Sequence, residues 1–251
     1  MDSSKLYQYL LLLADNPLII GHRLSELCGH GPSLETDIAL TNISLDLFGQ
    51  VRNYLQYAAS IKGDGATEDS IAFLRQHNEY RHVNLMEQPN HDFAWVITRQ
   101  FLFDSYHRPL LQELQSSNDS QIAAIASKSI KEVNYHLEVS SAWMIRLGDG
   151  TEESHQKTQK AVNYLLPYAM DLVSPTPLEQ SMQEVGVGAD IAQVKKSFEQ
   201  SLYATLDAAT LTRPDSSFIQ RGGKEGRHTE HLGYILGQLQ FMQRAYPNME
   251  W

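Results

Sequence analysis

Apolar residues recur every three or four positions along most of this 251-residue chain, and no stretch alternates with a period of two. That spacing predicts amphipathic helices and almost no strand. Glycine-rich breaks at residues 63–65 and 148–150, and Pro89, divide the helical stretches. The sequence therefore predicts an all-α protein.

The lengths of the helical stretches favour a bundle. Four long helices joined by short connections become antiparallel neighbours, which gives an up-down bundle at about residues 33–148. We expect a single domain over 1–251, in which helices from 3–28 and 151–247 pack around that bundle. The predicted helices cover residues 3–28, with a possible break at 15–17, then 33–62, 67–87, 92–116, 119–147, 151–172, 190–209 and 229–246, with one short helix between 177 and 186.

The charge balance and the single cysteine narrow the class of protein. A net charge of −10 argues against binding to a nucleic-acid backbone, which normally requires a basic surface. Cys28 has no partner for an internal disulfide, which fits a reducing compartment. The apolar run Leu10–Leu13 is too short to cross a membrane. We therefore expect a soluble, cytoplasmic protein.

Acids and histidines occur near the middle of each of the four predicted bundle helices. A carboxylate-bridged di-iron centre uses such mid-helix acids together with two E-x-x-H pairs. Here one pair is complete, one has a shorter acid, and Tyr135 stands where the third would place its histidine. The residues concerned are Asp46, Glu79, His82, Asp104, His107, Glu132 and His136.

Two arrangements would satisfy these acids in a helix interior, where an unpaired carboxylate is unfavourable. One is a pair of iron ions. The other is a network of ion pairs and hydrogen bonds, with Arg75 one turn before Glu79 and Lys128 one turn before Glu132 supplying positive charge. Because the ligand set is incomplete, we favour the network and expect no metal in this chain.

A glycine-rich, basic stretch, RGGKEGRHTEHLG at 221–233, precedes the last predicted helix. Glycines, basic residues and a helix N-terminus can form an anion site. The alternative, which we favour, is a compact turn whose Arg and Lys side chains pair with acids of a neighbouring helix. His228 and His231 could bind zinc, but without a nearby cysteine a capping or core role is favoured.

Four segments carry a resemblance to a known family. LDLFGQVRN at 45–53, MEQPN at 86–90, KEVNYHL at 131–137 and GGKEGRHTEHLG at 222–233 resemble the C subunits of the phenylacetyl-CoA epoxidases, which are ring 1,2-monooxygenases. The resemblance implies a ferritin-like bundle in a multicomponent enzyme of aerobic phenylacetate catabolism. It also implies an A subunit that holds the di-iron centre and epoxidises phenylacetyl-CoA, a B subunit that bridges AC pairs, and an NADPH-dependent flavin and iron–sulfur reductase.

Together these observations predict a structural, non-catalytic subunit that stabilises the A subunit, with no catalytic residue and no cofactor of its own. Asp46, Glu79, His82, Asp104, Glu132 and His136 are then the remains of a metal site. An alternative is a di-iron enzyme that uses the same six residues to activate dioxygen. A third hypothesis assigns binding of the acyl-CoA substrate to Glu79, Tyr80, Arg81 and His82.

Overall fold

The computed structural model describes residues 2–214, 218–247 and 249, and these residues contain helices and no strand. The all-α prediction is confirmed. Two 3₁₀ turns lie at His77–Glu79 and Gly223–Glu225. The α-helices are α1 (Ser3–Ser25), α2 (Leu34–Lys62), α3 (Glu68–Phe73), α4 (Phe93–Leu114), α5 (Ser120–Gly148), α6 (Glu152–Ala169), α7 (Pro177–Glu184), α8 (Ile191–Ala208), α9 (Glu230–Leu239) and α10 (Phe241–Ala245).

Two antiparallel helix pairs form the centre of the fold. In the first, α1 packs along α2, and the hydroxyl oxygens of Ser25 and Ser44 lie 2.8 Å apart. In the second, α4 packs along α5, and Thr98 Oγ1 lies 3.5 Å from the sulfur of Met144. Contacts between α2 and α5 join the pairs, while α6 and α8 pack on α4 and α5. The prediction of a ferritin-like bundle with additional C-terminal helices is confirmed.

The predicted helix over residues 67–87 is wrong. Only Glu68–Phe73 is α-helical there, and the chain then runs through the turn at His77–Glu79 into a non-helical stretch. Residues 80–88, here called the inner segment, are nearly all buried. A segment that is buried on every side also has apolar residues close together in the sequence. Their spacing therefore matched the pattern expected of a helix.

Side chains of α1 hold the backbone of the inner segment. Asp15 Oδ2 accepts the N–H of Arg81 at 2.7 Å, and Asn16 Oδ1 accepts the N–H of Val83 at 2.8 Å. Both α1 residues are buried. Since buried backbone groups need partners, these contacts compensate for the missing helical hydrogen bonds. The expected break in α1 at residues 15–17 is absent, because the helix continues from Ser3 to Ser25.

Buried arginines bind the carbonyl groups at the end of the inner segment. Arg23 donates to the carbonyl oxygen of Glu87 at 2.6 Å, and Arg99 donates to that of Gln88. Arg75 forms a buried ion pair with Asp15, at an Nη2–Oδ1 distance of 2.5 Å. Charged side chains are rarely buried without partners, so these contacts explain their position in the interior.

Across residues 2–214, 218–247 and 249, no helix combines the length and the apolar character needed to cross a bilayer.

Candidate functional site

The acids of α2 and α5 that we proposed as remains of a metal site are each bound to a different neighbour. Asp46 Oδ2 lies 3.0 Å from Nε2 of the buried His136. Gln50 donates its amide N–H to Glu132 Oε2 at 3.3 Å. Burial raises the pKa of Glu132, and the charge of Asp46 acts in the same direction. Lys128 opposes this rise through its charge, but it stays exposed.

On α4, Asp104 is fully buried between two neutral donors. Gln100 Nε2 donates to one carboxyl oxygen at 2.7 Å, and the Ser140 hydroxyl donates to the other at 2.8 Å. Burial raises the pKa of Asp104 to about 7. His107 stacks on Phe103, and burial lowers its pKa to about 3. This region of the bundle therefore favours neutral groups over charged ones.

These residues do not fit a two-iron centre. Such a centre requires several carboxylates and histidines whose ligand atoms converge on two ions. Among residues 2–214, 218–247 and 249, only one group of three or more histidine, cysteine or acidic side chains brings its ligand atoms within 4.8 Å of one another, and none of the α2, α4 or α5 residues belongs to it. No step of dioxygen chemistry can be derived through them.

Glu79 and His82, the one complete E-x-x-H pair, do not share a helical face. Glu79 is exposed at the end of a 3₁₀ turn, where its carboxylate accepts the N–H of Gln76 at 2.6 Å. His82 lies in the inner segment and is fully buried. The expected pairing of Arg75 with Glu79 is replaced by its ion pair with Asp15. The helical geometry on which this pair was predicted is therefore wrong.

The residues proposed to bind substrate differ in their accessibility. Tyr80 is buried, and its hydroxyl donates to the carbonyl oxygen of Ala72 at 2.7 Å. Arg81 donates to the carbonyl oxygen of Asn78 at 2.8 Å and lines a surface cavity of about 320 Å³ together with Lys5. Only Glu79 and Arg81 of the four can meet a ligand at the surface. Substrate binding here stays a prediction.

The group that does converge is His82, Glu87 and His228, here called the buried triad. His82 and Glu87 come from the inner segment, and His228 comes from the glycine-rich stretch. The imidazole rings are stacked, with centroids 4.2 Å apart. Glu87 Oε2 lies 3.9 Å from His82 Nε2, and Glu87 Oε1 lies 3.7 Å from His228 Nδ1. The side chains of all three are buried.

Local contacts fix two members of the triad in place. The backbone N–H of Thr229 donates to Glu87 Oε1 at 3.0 Å, and His228 Nε2 lies 3.1 Å from the carbonyl oxygen of Tyr80. Burial alone would raise the pKa of Glu87, but the neighbouring His228 and His82 lower it to about 2. Sequence reasoning selected His82 and His228 separately but missed Glu87, since no local pattern connects the inner segment with the glycine-rich stretch.

Two glycines of the glycine-rich stretch, called the C-terminal stretch from here on, pack closely against the inner segment and the 3₁₀ turn before it. A Cβ atom at Gly223 would lie 2.2 Å from the carbonyl oxygen of His82, and one at Gly226 would lie 2.2 Å from that of Asn78. Any side chain at either position would therefore separate the two segments. These glycines allow His228 to reach the triad.

Lys224 in this stretch is buried and bound to α7. Its ammonium group lies 3.0 Å from Glu179 Oε1 and donates to the carbonyl oxygens of Leu172 and Ser174. All three of its N–H donors are thus used inside the protein. This contact agrees with the compact-turn prediction and leaves this lysine unable to bind an external anion.

Comparison with known proteins gives two matches. A family model described as "Phenylacetic acid catabolic protein" matches residues 1–251. The chain is also 43% identical over 248 residues to the C subunit of 1,2-phenylacetyl-CoA epoxidase from Escherichia coli (strain K12), a match that covers 99% of this chain and 100% of that protein. The resemblance identified from the four sequence segments is confirmed.

Proposed function

The chain belongs to the phenylacetic acid catabolic protein family, and we propose on this premise that it is the structural, non-catalytic C subunit of a 1,2-phenylacetyl-CoA epoxidase. In the proposed complex, a catalytic A subunit carries the di-iron centre that epoxidises the aromatic ring of phenylacetyl-CoA. A B subunit bridges AC pairs, and a reductase supplies electrons from NADPH. The complex acts in the cytoplasm, in aerobic phenylacetate catabolism.

The single observation that carries the non-catalytic role is the separate pairing of the mid-helix acids. Asp46 faces His136, Glu132 accepts from Gln50, and the neutral donors Gln100 and Ser140 surround Asp104. A di-iron ligand set has the opposite property, because its carboxylates remain charged and turn toward shared ions. The chain therefore keeps the helical bundle, but its mid-helix acids bind other side chains of the protein instead of shared ions.

Metal analysis of the purified chain tests this assignment against the alternative of a di-iron enzyme. We expect no oxygen-bridged di-ferric centre after reconstitution with ferrous iron under anaerobic conditions and exposure to air. Two irons per chain, with the absorption band of an oxygen-bridged di-ferric centre, would reject the proposal. The double variant Glu132→Gln, His136→Gln is the control, since such iron would then have to disappear.

An exposed apolar stripe on α2 supports association with a partner. Leu34, Ile38 and Leu45 lie at steps of four and seven residues, and Tyr135 of α5, which precedes His136 in the sequence, is also exposed. These four side chains are between 49% and 72% exposed. Contiguous exposed apolar side chains on a rigid helix are typical of a protein–protein interface. We assign the stripe to contact with the A subunit.

Co-expression with the A subunit tests this contact. The double variant Ile38→Glu, Leu45→Glu should fold normally, since both side chains are exposed. It should lose at least about tenfold in affinity for A, equivalent to about 1.4 kcal/mol. The matched control is Ala192→Glu, an exposed position on α8, which packs on α4 and α5. An A subunit that stays equally soluble without this chain would reject the scaffold role.

A further inference from the structure

The buried triad has more lone pairs than hydrogen atoms to satisfy them. His228 Nε2 faces the carbonyl oxygen of Tyr80, which has no hydrogen, so this nitrogen carries the ring's N–H. In the neutral ring, Nδ1 then presents a lone pair toward Glu87 Oε1, which is itself a lone-pair donor. Neither His228 Nδ1 nor Glu87 Oε2 has a hydrogen-bond partner.

His82 adds two further unsatisfied atoms. Both of its ring nitrogens are buried without a hydrogen-bond partner. Its Nε2 lies 3.9 Å from Glu87 Oε2, which is beyond the range of a hydrogen bond. A buried polar atom left unpaired destabilises the folded protein. One ligand atom from each of the three side chains lies within 4.8 Å of the other two.

We propose that His82, Glu87 and His228 form a structural zinc site that joins the inner segment to the C-terminal stretch. Two imidazole nitrogens and one carboxylate are an established set of three protein ligands for zinc, and a water molecule takes the fourth position. Ligand atoms about 2.1 Å from one tetrahedral zinc ion are separated by about 3.4 Å. The observed separations are 3.7 Å from His228 Nδ1 to Glu87 Oε1 and 3.9 Å from His82 Nε2 to Glu87 Oε2. Zinc binding would also turn the two imidazoles out of their stacked arrangement, since the ion must lie in the plane of each ring.

The surroundings of the triad match those of metal-binding histidines. Such a histidine usually donates its second ring N–H to a backbone carbonyl or carboxylate, which fixes the ring and its tautomer. His228 makes this contact with Tyr80, and Thr229 orients the carboxylate of Glu87. Because the three side chains are buried, the bound ion serves the fold and not a substrate.

Zinc binding by the full-length chain, purified without a histidine tag, tests the site. After removal of metal with a chelator, titration calorimetry should show about one zinc per chain, and zinc should raise the melting temperature. Cobalt(II) at the same site should give visible ligand-field bands of a low-coordinate ion. A zinc content well below one per chain, or no effect of zinc on melting, would overturn the proposal and leave the triad as a set of internal polar contacts.

Variants separate this site from the other histidines of the chain. His228→Gln and Glu87→Gln should weaken zinc binding at least 100-fold and abolish the cobalt bands, while His231→Ala, three residues away, should leave both unchanged. Equal zinc affinity in all three variants would show that the metal binds elsewhere. If the first two fail to fold, the wild-type titration and the His231→Ala control still decide the question. Iron bound through Glu132 and His136 would be lost in the variant Glu132→Gln, His136→Gln but kept in Glu87→Gln and His228→Gln. This difference separates a failure of the proposed function from a failure of the zinc site.

Discussion

Replacing Asp104 with asparagine should stabilise the protein more at neutral and alkaline pH than at acidic pH. Burial raises the pKa of this carboxyl to about 7, from its ordinary value of 3.8. In the unfolded chain the group loses its proton near the lower value, whereas in the folded protein it does so only near the higher one. Between them the folded state binds more protons, so the stability of the wild type falls as the pH rises.

The magnitude follows from the difference between the two pKa values. About three pKa units at 1.36 kcal/mol each give a total loss of about 4 kcal/mol, roughly half of which occurs between pH 5 and pH 7. Asparagine cannot ionise, so the variant avoids this loss. Its amide oxygen can accept from Gln100, and its amide N–H can donate to the hydroxyl of Ser140, as the neutral acid would.

Urea unfolding of the wild type and the Asp104→Asn variant, in parallel between about pH 5 and pH 8, measures the effect. The difference in unfolding free energy should grow by about 2–3 kcal/mol across this range in favour of the variant. Ser140→Ala removes a donor that favours the ionised form, so it should be more destabilising at the upper end than at the lower. Parallel stability curves for the wild type and Asp104→Asn would refute the reasoning.

Two other substitutions test the contacts around the inner segment by urea unfolding. Arg75→Ala should destabilise the protein by about 3–5 kcal/mol because it leaves Asp15 buried without its ion pair. Adding Asp15→Asn should restore part of the lost stability. A loss below about 1 kcal/mol in Arg75→Ala would contradict this prediction. Gly223→Ala should destabilise by about 1–3 kcal/mol because its Cβ would press on the carbonyl of His82, whereas Gly237→Ala, in open space on α9, should stabilise by up to about 1 kcal/mol; equal effects would argue against the close approach.

Local signals in the sequence predict most helix boundaries. Serine is a favoured residue directly before a helix, and the side chain of Ser33 accepts the N–H of Thr36 at 3.3 Å at the start of α2. Gly63 was expected to end the same helix and does so with a φ of 70°. Both signals work because they act over a few neighbouring residues.

The failure at residues 67–87 has the opposite origin. The backbone of the inner segment is held by Asp15 and Asn16, more than 60 positions earlier in the chain. The same two residues looked like a break in α1, although the helix passes through them unchanged. Such long-range hydrogen bonds override local propensity, and no periodicity in the sequence reports them.

The candidate sites were predictable only in part, because their long-range contacts also leave no local signal in the sequence. Helical spacing identified Asp104 and Glu132 as inward-facing acids, but it gave no indication that Gln50, Gln100 and Ser140 would be their partners. Those partners lie on neighbouring helices or one turn away, where only the packing of the bundle sets their distances. The chemistry of single positions can thus be read from the sequence more readily than the neighbours they meet.

Contacts between the inner segment and the C-terminal stretch also bear on how the protein is made. During translation the ribosome releases residues 80–88 long before His228, Thr229 and Gln240 exist to bind Tyr80, Glu87 and the carbonyl of Arg75. The α1–α2 pair can form on the nascent chain, since early elements generally fold first. The interior is completed only after the last helices emerge. A prematurely terminated product would therefore leave Glu87 and the carbonyl groups of Tyr80 and Arg75 without these partners.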